Sequence, residues 1–550
     1  KATLVRTLAL IRGAGKTYNG FCNEAEAAGG GDPRKVRADL GGEYHAENKG
    51  ASLTAQWDIS DNLSFKSISA WRYTEASQDD ELDHTATPYL HRTGNVNSFS
   101  EPAETDQYSQ EFQLTGSAFH DRLQYVAGLF WFKENTGGRV NVSNIGPYDP
   151  AIANLYLLSS TATEWGAKNE AMAAFVQAEW EFNENWRLTT GLRYTDEDRE
   201  VDRVRYESDP STLDANGGAA IPLGSGLHVV QRPGFELNPN YGFMFLDETD
   251  GDVSNDDFSP MASLQYMLGS SDWVDDGSIY LTYSEGFLSG GLSEGPTGEL
   301  TEFEPEEVEN LELGFKLDLL DRRLRINGAI FSTDYTNRQL TTIVVNPLTN
   351  RPAGATINAK KSKIEGIELE TVWLATENLM INFNMTINDG DIEEFDDLQI
   401  TLADPDGTPE GCETLSLSIL LVDACSNDRS NENLPRLAEE TYMLAAQYTI
   451  DTAVGLFLPR IQGSWKYDIE FCFESSSCVV GHWLEDKQFD LSGRVTWIST
   501  DEKWIGAIYG TNLTDEDYIN GGTALTDASG VGGYAYNAPR MYGAELQYRF

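Results

Sequence analysis

From Gly50 to its last residue the chain runs in stretches that alternate apolar and polar side chains with a period of two. A strand puts successive side chains on opposite faces, whereas a helix needs a 3.6-residue period that these stretches lack. Leu379, Ile381, Phe383, Met385 and Ile387 share one face, with Asn382, Asn384, Thr386 and Asn388 opposite. Leu311, Leu313, Phe315, Leu317 and Leu319 oppose Glu312, Gly314, Lys316 and Asp318, and Phe489, Leu491, Val495 and Trp497 oppose Asp490, Ser492, Arg494 and Thr496. The chain closes in the same way: Tyr542, Ala544, Leu546, Tyr548 and Phe550 on one side, Gly543, Glu545, Gln547 and Arg549 on the other. Seventeen such strands run from 48–58 to 541–550, or eighteen if residues 2–11 form one.

Alternation alone also suits a soluble sandwich. The connections separate the two readings, because they alternate between short and long from the first clear strand to the last. Short ones fall at 60–61, 183–185, 320–322, 375–377 and 499–502; long ones fall at 77–103, 137–168, 204–255, 288–306, 341–362, 391–436, 474–486 and 513–540. A sandwich has no reason to gather every long loop at one end of its strands. An outer-membrane barrel does, with short periplasmic turns and long extracellular loops. Seven of the twelve tryptophans, Trp57, Trp180, Trp186, Trp273, Trp373, Trp497 and Trp504, lie in or beside a short connection, as an interfacial aromatic belt requires. The polar face must then line an interior, since a Lys or Arg facing lipid at the midplane costs roughly 2–4 kcal/mol. The sequence therefore predicts an all-β, transmembrane antiparallel β-barrel.

A length of 550 residues would suit two to four soluble domains, but a large barrel is a single unit. A formal charge of -49 argues against nucleic acid as a partner. No apolar run reaches the eighteen residues of a helical span, so membrane insertion must come from strands. Acidic side chains concentrate in the long connections, Asp247, Glu248, Asp250, Asp252, Asp256 and Asp257 among them, without the spacing of a calcium loop; a solvated acidic surface is expected, with no metal site and no cofactor. The six histidines, His45, His84, His91, His120, His228 and His482, are scattered, and no catalytic constellation stands out, so no enzyme is expected.

Several segments in order resemble the β-barrel portion of the TonB-dependent outer-membrane receptors: YLTYSEGFLSGG at 280–291, FEPEEVENLELGFKLDLLDRRLRINGAIFSTDYTNRQL at 303–340, KIEGIELE at 363–370, YGTNLTDEDYINGG at 509–522 and PRMYGAELQYRF at 539–550. The resemblance implies a 22-stranded barrel in a bacterial outer membrane, of which residues 48–550 form the C-terminal part and residues 1–47 a further strand and an extracellular loop. It implies import of a scarce nutrient, foremost a ferric siderophore or similar iron chelate, with glycans or cobalamin as other cargoes. Opening would be driven by the inner-membrane TonB–ExbB–ExbD complex, through a plug and a TonB-binding box expected upstream of Lys1. A passive diffusion porin is the competing reading, since eighteen strands would themselves close an even-numbered barrel. It requires residues 2–11 to pair with 541–550; the receptor reading instead expects those strands to face each other across a gap.

Two sets of residues follow from this reading. Cys412 with Cys425 and Cys472 with Cys478 are expected to form local extracellular disulfides, leaving Cys22 without a partner in the chain. The loop aromatics Tyr148, Tyr156, Trp165, Trp483, Tyr534 and Tyr536 are candidates for a ligand platform, because rings supply contact area at low entropy cost. The charge of -49 conflicts with the approach of an anionic chelate; a neutral or cationic ligand, or a local basic patch at the mouth such as Lys360, Lys361 and Lys363, would relieve the conflict.

Overall fold

The structure is a computed structural model that describes residues 43–81, 90–93, 102–145, 158–208, 243–294, 299–345, 352–402, 412–417, 420–428, 430–471, 484–525 and 531–550. Among these residues there is no helix. One 19-stranded antiparallel sheet dominates the chain. Two of its members, Leu90–Thr93 and Ile450–Thr452, are short, and the remaining seventeen form the wall. In chain order these are β1 (Glu43–Ser60), β2 (Leu63–Glu81), β3 (Ala103–Ala118), β4 (Leu123–Ile145), β5 (Leu158–Glu181), β6 (Trp186–Ser208), β7 (Phe243–Leu268), β8 (Asp276–Leu288) and β9 (Glu306–Leu319), then β10 (Leu324–Val345), β11 (Pro352–Leu374), β12 (Leu379–Glu394), β13 (Ala438–Tyr448), β14 (Gly455–Glu470), β15 (Leu484–Ile498), β16 (Trp504–Thr511) and β17 (Met541–Tyr548).

Each wall strand pairs with its neighbour in sequence, so the sheet is a meander, as short and long hairpins in alternation dictate. Among the described residues β1 pairs with β2 only on its first side and β17 with β16 only. Residues 2–11 lie outside the described residues, and so does the pairing that would separate porin from receptor.

The register sorts the side chains into an apolar outer face and a polar inner face. Leu129, Met172, Leu192 and Phe258 are 60%, 57%, 45% and 59% exposed, as lipid-facing side chains must be in a structure without lipid. Their sequence neighbours on the inner face are Gly128, Phe130, Ala171, Ala173 and Gly191, with Arg193, Asp257 and Ser259. At the short-connection end Trp186 packs on Tyr266 with ring centroids 4.8 Å apart, Trp504 on Tyr548 at 4.7 Å, and Phe119 edge-on to Trp180 at 5.3 Å. This is the belt expected from sequence.

A second belt, which sequence reasoning missed, rings the outer face where the wall leaves the apolar band. There Tyr194 packs on Phe258 at 4.6 Å and Trp465 on Phe489 at 5.1 Å. The polar ends of this belt point to carboxylates: Trp71 Nε1 donates to Asp106 at 3.2 Å, Trp131 Nε1 to Glu170 at 2.9 Å, and the Tyr73 and Tyr283 hydroxyls to Glu75 and Glu285 at 3.0 and 2.6 Å. Aromatic residues with an apolar body and a polar tip suit such a boundary.

The strands run well past this belt, which corrects the expected loop boundaries. Asp247, Glu248, Asp250, Asp252, Asp256 and Asp257 belong to strand β7 rather than to a loop, and residues 137–145 and 158–168 extend β4 and β5. Above the membrane both faces of a strand meet water, so period-2 alternation fades and the sequence looks like loop. Where β11, the end of β12 and the connection that follows β12 meet, a small apolar core forms from Ala359, Ile392, Phe395 and Leu434, each at most 3% exposed.

Candidate functional site

The lower inner wall is a lattice of matched polar groups. Arg325 forks onto Asp318 at 2.7 and 2.9 Å, Arg187 meets Glu179 at 3.2 Å and also bonds Glu181, Arg494 bonds Glu545 at 2.6 Å, and the Tyr280 hydroxyl donates to Glu312 at 2.6 Å. Register explains the pairing: Asp318 lies directly opposite Arg325, so the fork closes across one strand pair. Arg460 is held by amides instead, donating to Asn382 at 3.2 Å and Gln462 at 3.1 Å, and borders a recess of about 340 Å³ with Asn327, Asn384 and Glu370.

Higher on the same face the chemistry changes. One inner row runs Gly128, Phe175, Arg193, Ser259 across β4 to β7, and the next runs Phe130, Ala173, Thr195, Asp257. Gly128 leaves its position empty, and the Phe175 ring occupies it; a Cβ at residue 128 would come within 2.6 Å of that ring and 2.8 Å of the Phe112 carbonyl oxygen. Ala173, directly opposite Phe130 and Thr195, is similarly small. The Arg193 guanidinium carbon stands 5.6 Å from the Phe130 ring centroid and 6.0 Å from that of Phe175, both within cation–π range. Phe130 and Phe132 stack at 6.5 Å with planes 9° apart. Arg193 Nε donates to Thr195 Oγ1 at 3.0 Å, and among the described residues the guanidinium has no carboxylate partner.

Above this patch the connection after β8 folds inward. The Ser289 hydroxyl donates to Glu197 at 2.7 Å, and Arg199 Nε bonds the other Glu197 oxygen at 2.6 Å. The hairpin Gly291–Glu294 with Leu300–Phe303 then packs on β7 and β11. Gln339 Nε2 holds its base, donating to the Leu288, Ser289 and Glu304 carbonyls, and the Ser293 hydroxyl accepts from the Thr356 backbone at 2.7 Å. Beside Glu197, Asn255 is 7% exposed and its Nδ2 has no partner among the described residues.

Two of the three lysines of the basic patch expected at the mouth, Lys360 and Lys363, are paired with carboxylates. Lys360 bonds Glu394 at 2.6 Å and Lys363 bonds Glu365 at 2.8 Å; the Lys360 ammonium holds the Glu394 carboxyl below its ordinary value, as Glu200 raises Lys168 on the outer face. Burial pushes the Glu439 carboxyl up, helped by Asp468 and Asp389.

Of the aromatic candidates, Tyr148, Tyr156 and Trp483 lie outside the described residues. Trp165 stands on the inner face of β5 opposite Arg203, and Tyr534 and Tyr536 belong to a separate hairpin, Ile519–Leu525 with Val531–Tyr536. The luminal rings were missed, although the sequence marks them: Leu129, Phe130, Trp131 and Phe132 break the alternation with four apolar residues in succession. Cys412 lies directly opposite Cys425 in the strand pair Cys412–Leu417 with Leu420–Asp428, whereas Cys472 and Cys478 lie outside the described residues. Among the described residues no His, Cys, Asp and Glu group is arranged to hold a metal ion.

Comparison with known proteins agrees with this architecture. The chain is 30% identical over 127 residues, 22% of its own length and 16% of the relative's, to a probable TonB-dependent siderophore receptor of Acinetobacter baumannii, PiuA. Its fold is similar to the ferric yersiniabactin uptake receptor FyuA from Yersinia pestis, with a TM-score of 0.61 and 16% identity, covering 92% of this chain and 62% of that one. The solved siderophore receptor PiuA from A. baumannii gives a TM-score of 0.60 at 14% identity, covering 92% and 64%. The chain thus spans less than two thirds of the length of these solved receptors. Residues 7–547 match the model of the TonB dependent receptor-like β-barrel, and this chain belongs to that family of outer-membrane β-barrels.

Proposed function

We propose that this protein takes part in TonB-dependent import of an iron chelate, foremost a ferric siderophore, across a bacterial outer membrane. The observation that carries the reading is the inner face: a polar wall whose upper part holds a guanidinium with no carboxylate partner among the described residues, in a chain that is otherwise strongly acidic. Its partners on this reading are outer-membrane lipid around the two aromatic belts, the TonB–ExbB–ExbD complex acting from the periplasmic side, and the chelate itself. Two of the relatives it matches, PiuA and the ferric yersiniabactin uptake receptor FyuA, are iron-chelate receptors by name, which supports the same cargo class. A strain lacking the gene, grown under iron limitation on a panel of ferric chelates, should lose growth on one of them and regain it on complementation. Undiminished growth on every chelate, with lost growth on a glycan or on cobalamin, would transfer the proposal to that cargo.

The extracellular lobe carries a second proposal, the Cys412–Cys425 disulfide. Directly opposed residues in an antiparallel pair have Cβ atoms about 4.5–5.5 Å apart, a small adjustment from the 3.5–4.5 Å span of a disulfide. The protein isolated without reductant should resist thiol alkylation at both positions and accept it after reduction. Alkylation of both before reduction would remove the bond.

A further inference from the structure

We propose that Asn520 is a site of spontaneous covalent modification, a deamidation in which the peptide nitrogen of Gly521 displaces ammonia from the Asn520 side chain. The reaction needs an Asn followed by a residue without a side chain, a backbone that the fold does not hold rigid, and water. Among the described residues there are two Asn–Gly pairs, Asn327–Gly328 and Asn520–Gly521, and the structure treats them oppositely. Gly328 is buried within the wall, directly opposite Phe315 on β9 and Leu369 on β11, so its backbone is laddered on both sides. The Phe315 ring fills the space a side chain would take there, since a Cβ at residue 328 would come within 2.6 Å of it. Asn520 instead stands exposed in the hairpin Ile519–Leu525 with Val531–Tyr536, a two-stranded sheet in which each strand has one neighbour only. The register slips at this point: Ile519 opposes Tyr536 and Gly521 opposes Ala535, so Asn520 is the extra residue of a bulge with no partner across the ladder. Apart from its chain neighbours, no heavy atom lies within 4 Å of the place a Cβ would take at Gly521.

The chain is held on one side of Asn520 and loose on the other. Gln488 Nε2 donates to the Ile519 carbonyl at 2.8 Å, the Tyr518 backbone nitrogen donates to Asn537 Oδ1 at 3.2 Å, and the Tyr518 carbonyl accepts from the Asn537 backbone at 3.1 Å. Beyond the bulge, Gly521 and Gly522 leave the backbone free to bring its nitrogen to the Asn520 Cγ. That nitrogen, having lost its proton to solvent base, attacks Cγ; the new N–C bond forms, the C–N bond of the side-chain amide breaks, and ammonia leaves with a proton taken from water. Water then opens the resulting succinimide ring at either carbonyl, and nothing is oxidised or reduced. One opening leaves aspartate; the other leaves isoaspartate, whose backbone runs through the former side-chain carbon and is one atom longer. Both products add a negative charge next to the acidic run Asp515, Glu516 and Asp517. Isoaspartate also lengthens the strand between the residues that oppose Tyr536 and Ala535, which changes the placing of Tyr534 and Tyr536 on the hairpin. The modification does not depend on what the protein imports.

The test incubates the full-length protein, folded in detergent, in mildly alkaline buffer at growth temperature. The two Asn–Gly peptides are followed by mass spectrometry, and isoaspartate is detected by labelling with an isoaspartyl methyltransferase. In the folded protein residue 520 should deamidate at least tenfold faster than residue 327. In the chain unfolded by heat in denaturing detergent the two should react at similar rates, because the ladder that shields Gly328 is then gone. Asn520→Gln should remove the isoaspartate signal from its peptide and leave heat-modifiable electrophoretic mobility unchanged, since the hairpin is separate from the wall. No deamidation at residue 520, or equal rates at the two positions in the folded protein, overturns the proposal. A difference that persists in the unfolded chain overturns it as well, because the flanking sequence and not the bulge would then set the rate.

Discussion

Arg325 and Arg193 both point inward from the same sheet, yet Arg325 is forked onto Asp318 while Arg193 lies over two phenyl rings and bonds one hydroxyl. The first arrangement is complete in itself, because two opposed charges close their donors and acceptors across a strand pair. The second is incomplete, because its donors are oriented by the wall and not consumed by it. Matched pairs near the short turns therefore tie neighbouring strands together, whereas the Arg193 guanidinium, nearer the long connections, has no carboxylate partner among the described residues. Arg460 falls between them, its donors spent on neutral amides beside a recess.

The comparison can be broken most forcefully at the glycine beneath the patch. Gly128→Ala should destabilise the barrel by about 1–3 kcal/mol, the usual cost of forcing extra volume into a filled position, since its Cβ would meet the Phe175 ring and the Phe112 carbonyl. Gly191→Ala, on β6 and also on the inner face, should be nearly neutral, because the nearest atom lies 3.8 Å away. Thermal unfolding followed by heat-modifiable mobility compares the two, and equal losses would show that the Phe175 ring is not seated as described.

The matched region gives a smaller effect of the opposite kind. Asp318→Asn should cost about 0.5–1 kcal/mol of stability, the range of solvated ion pairs, and leave chelate binding intact. Denaturant unfolding in lipid vesicles and chelate binding measure both; lost binding with unchanged stability would reverse the roles assigned to the two regions. The smallest effect belongs to the Lys360–Glu394 pair at the mouth. Its carboxyl is lowered in the folded state, so its contribution is present above the unfolded carboxylate pKa and is lost as the pH falls through the lowered value. Both groups are exposed, so Lys360→Gln should lower the unfolding temperature only slightly between pH 5 and 7, and even that difference should vanish in more acid solution, where the carboxyl is protonated in both proteins.

Much of the wall was legible in the sequence because lipid imposes a rule on it. Leu311, Leu313 and Leu317 had to share a face, and each of the seventeen expected strands has its counterpart among β1 to β17. Where lipid ends the rule ends too, so the acidic stretch around Asp250 looked like a loop although it continues β7. The candidate site was harder to see for a related reason. A luminal Arg with a carboxylate and one without look alike in sequence, because the difference lies in which residue the register brings opposite: Asp318 for Arg325, and Phe175 with Ser259 for Arg193. Only the unbroken run Leu129 to Phe132 hinted that rings would face inward.

Radioiron uptake by cells expressing the full gene, measured against chelate concentration with and without a protonophore, tests the account most directly. Import through an energised receptor predicts uptake that saturates and that stops when the proton gradient is collapsed or TonB is absent. Uptake that rises linearly with concentration and ignores both treatments would contradict it and would make the wall that of a passive pore.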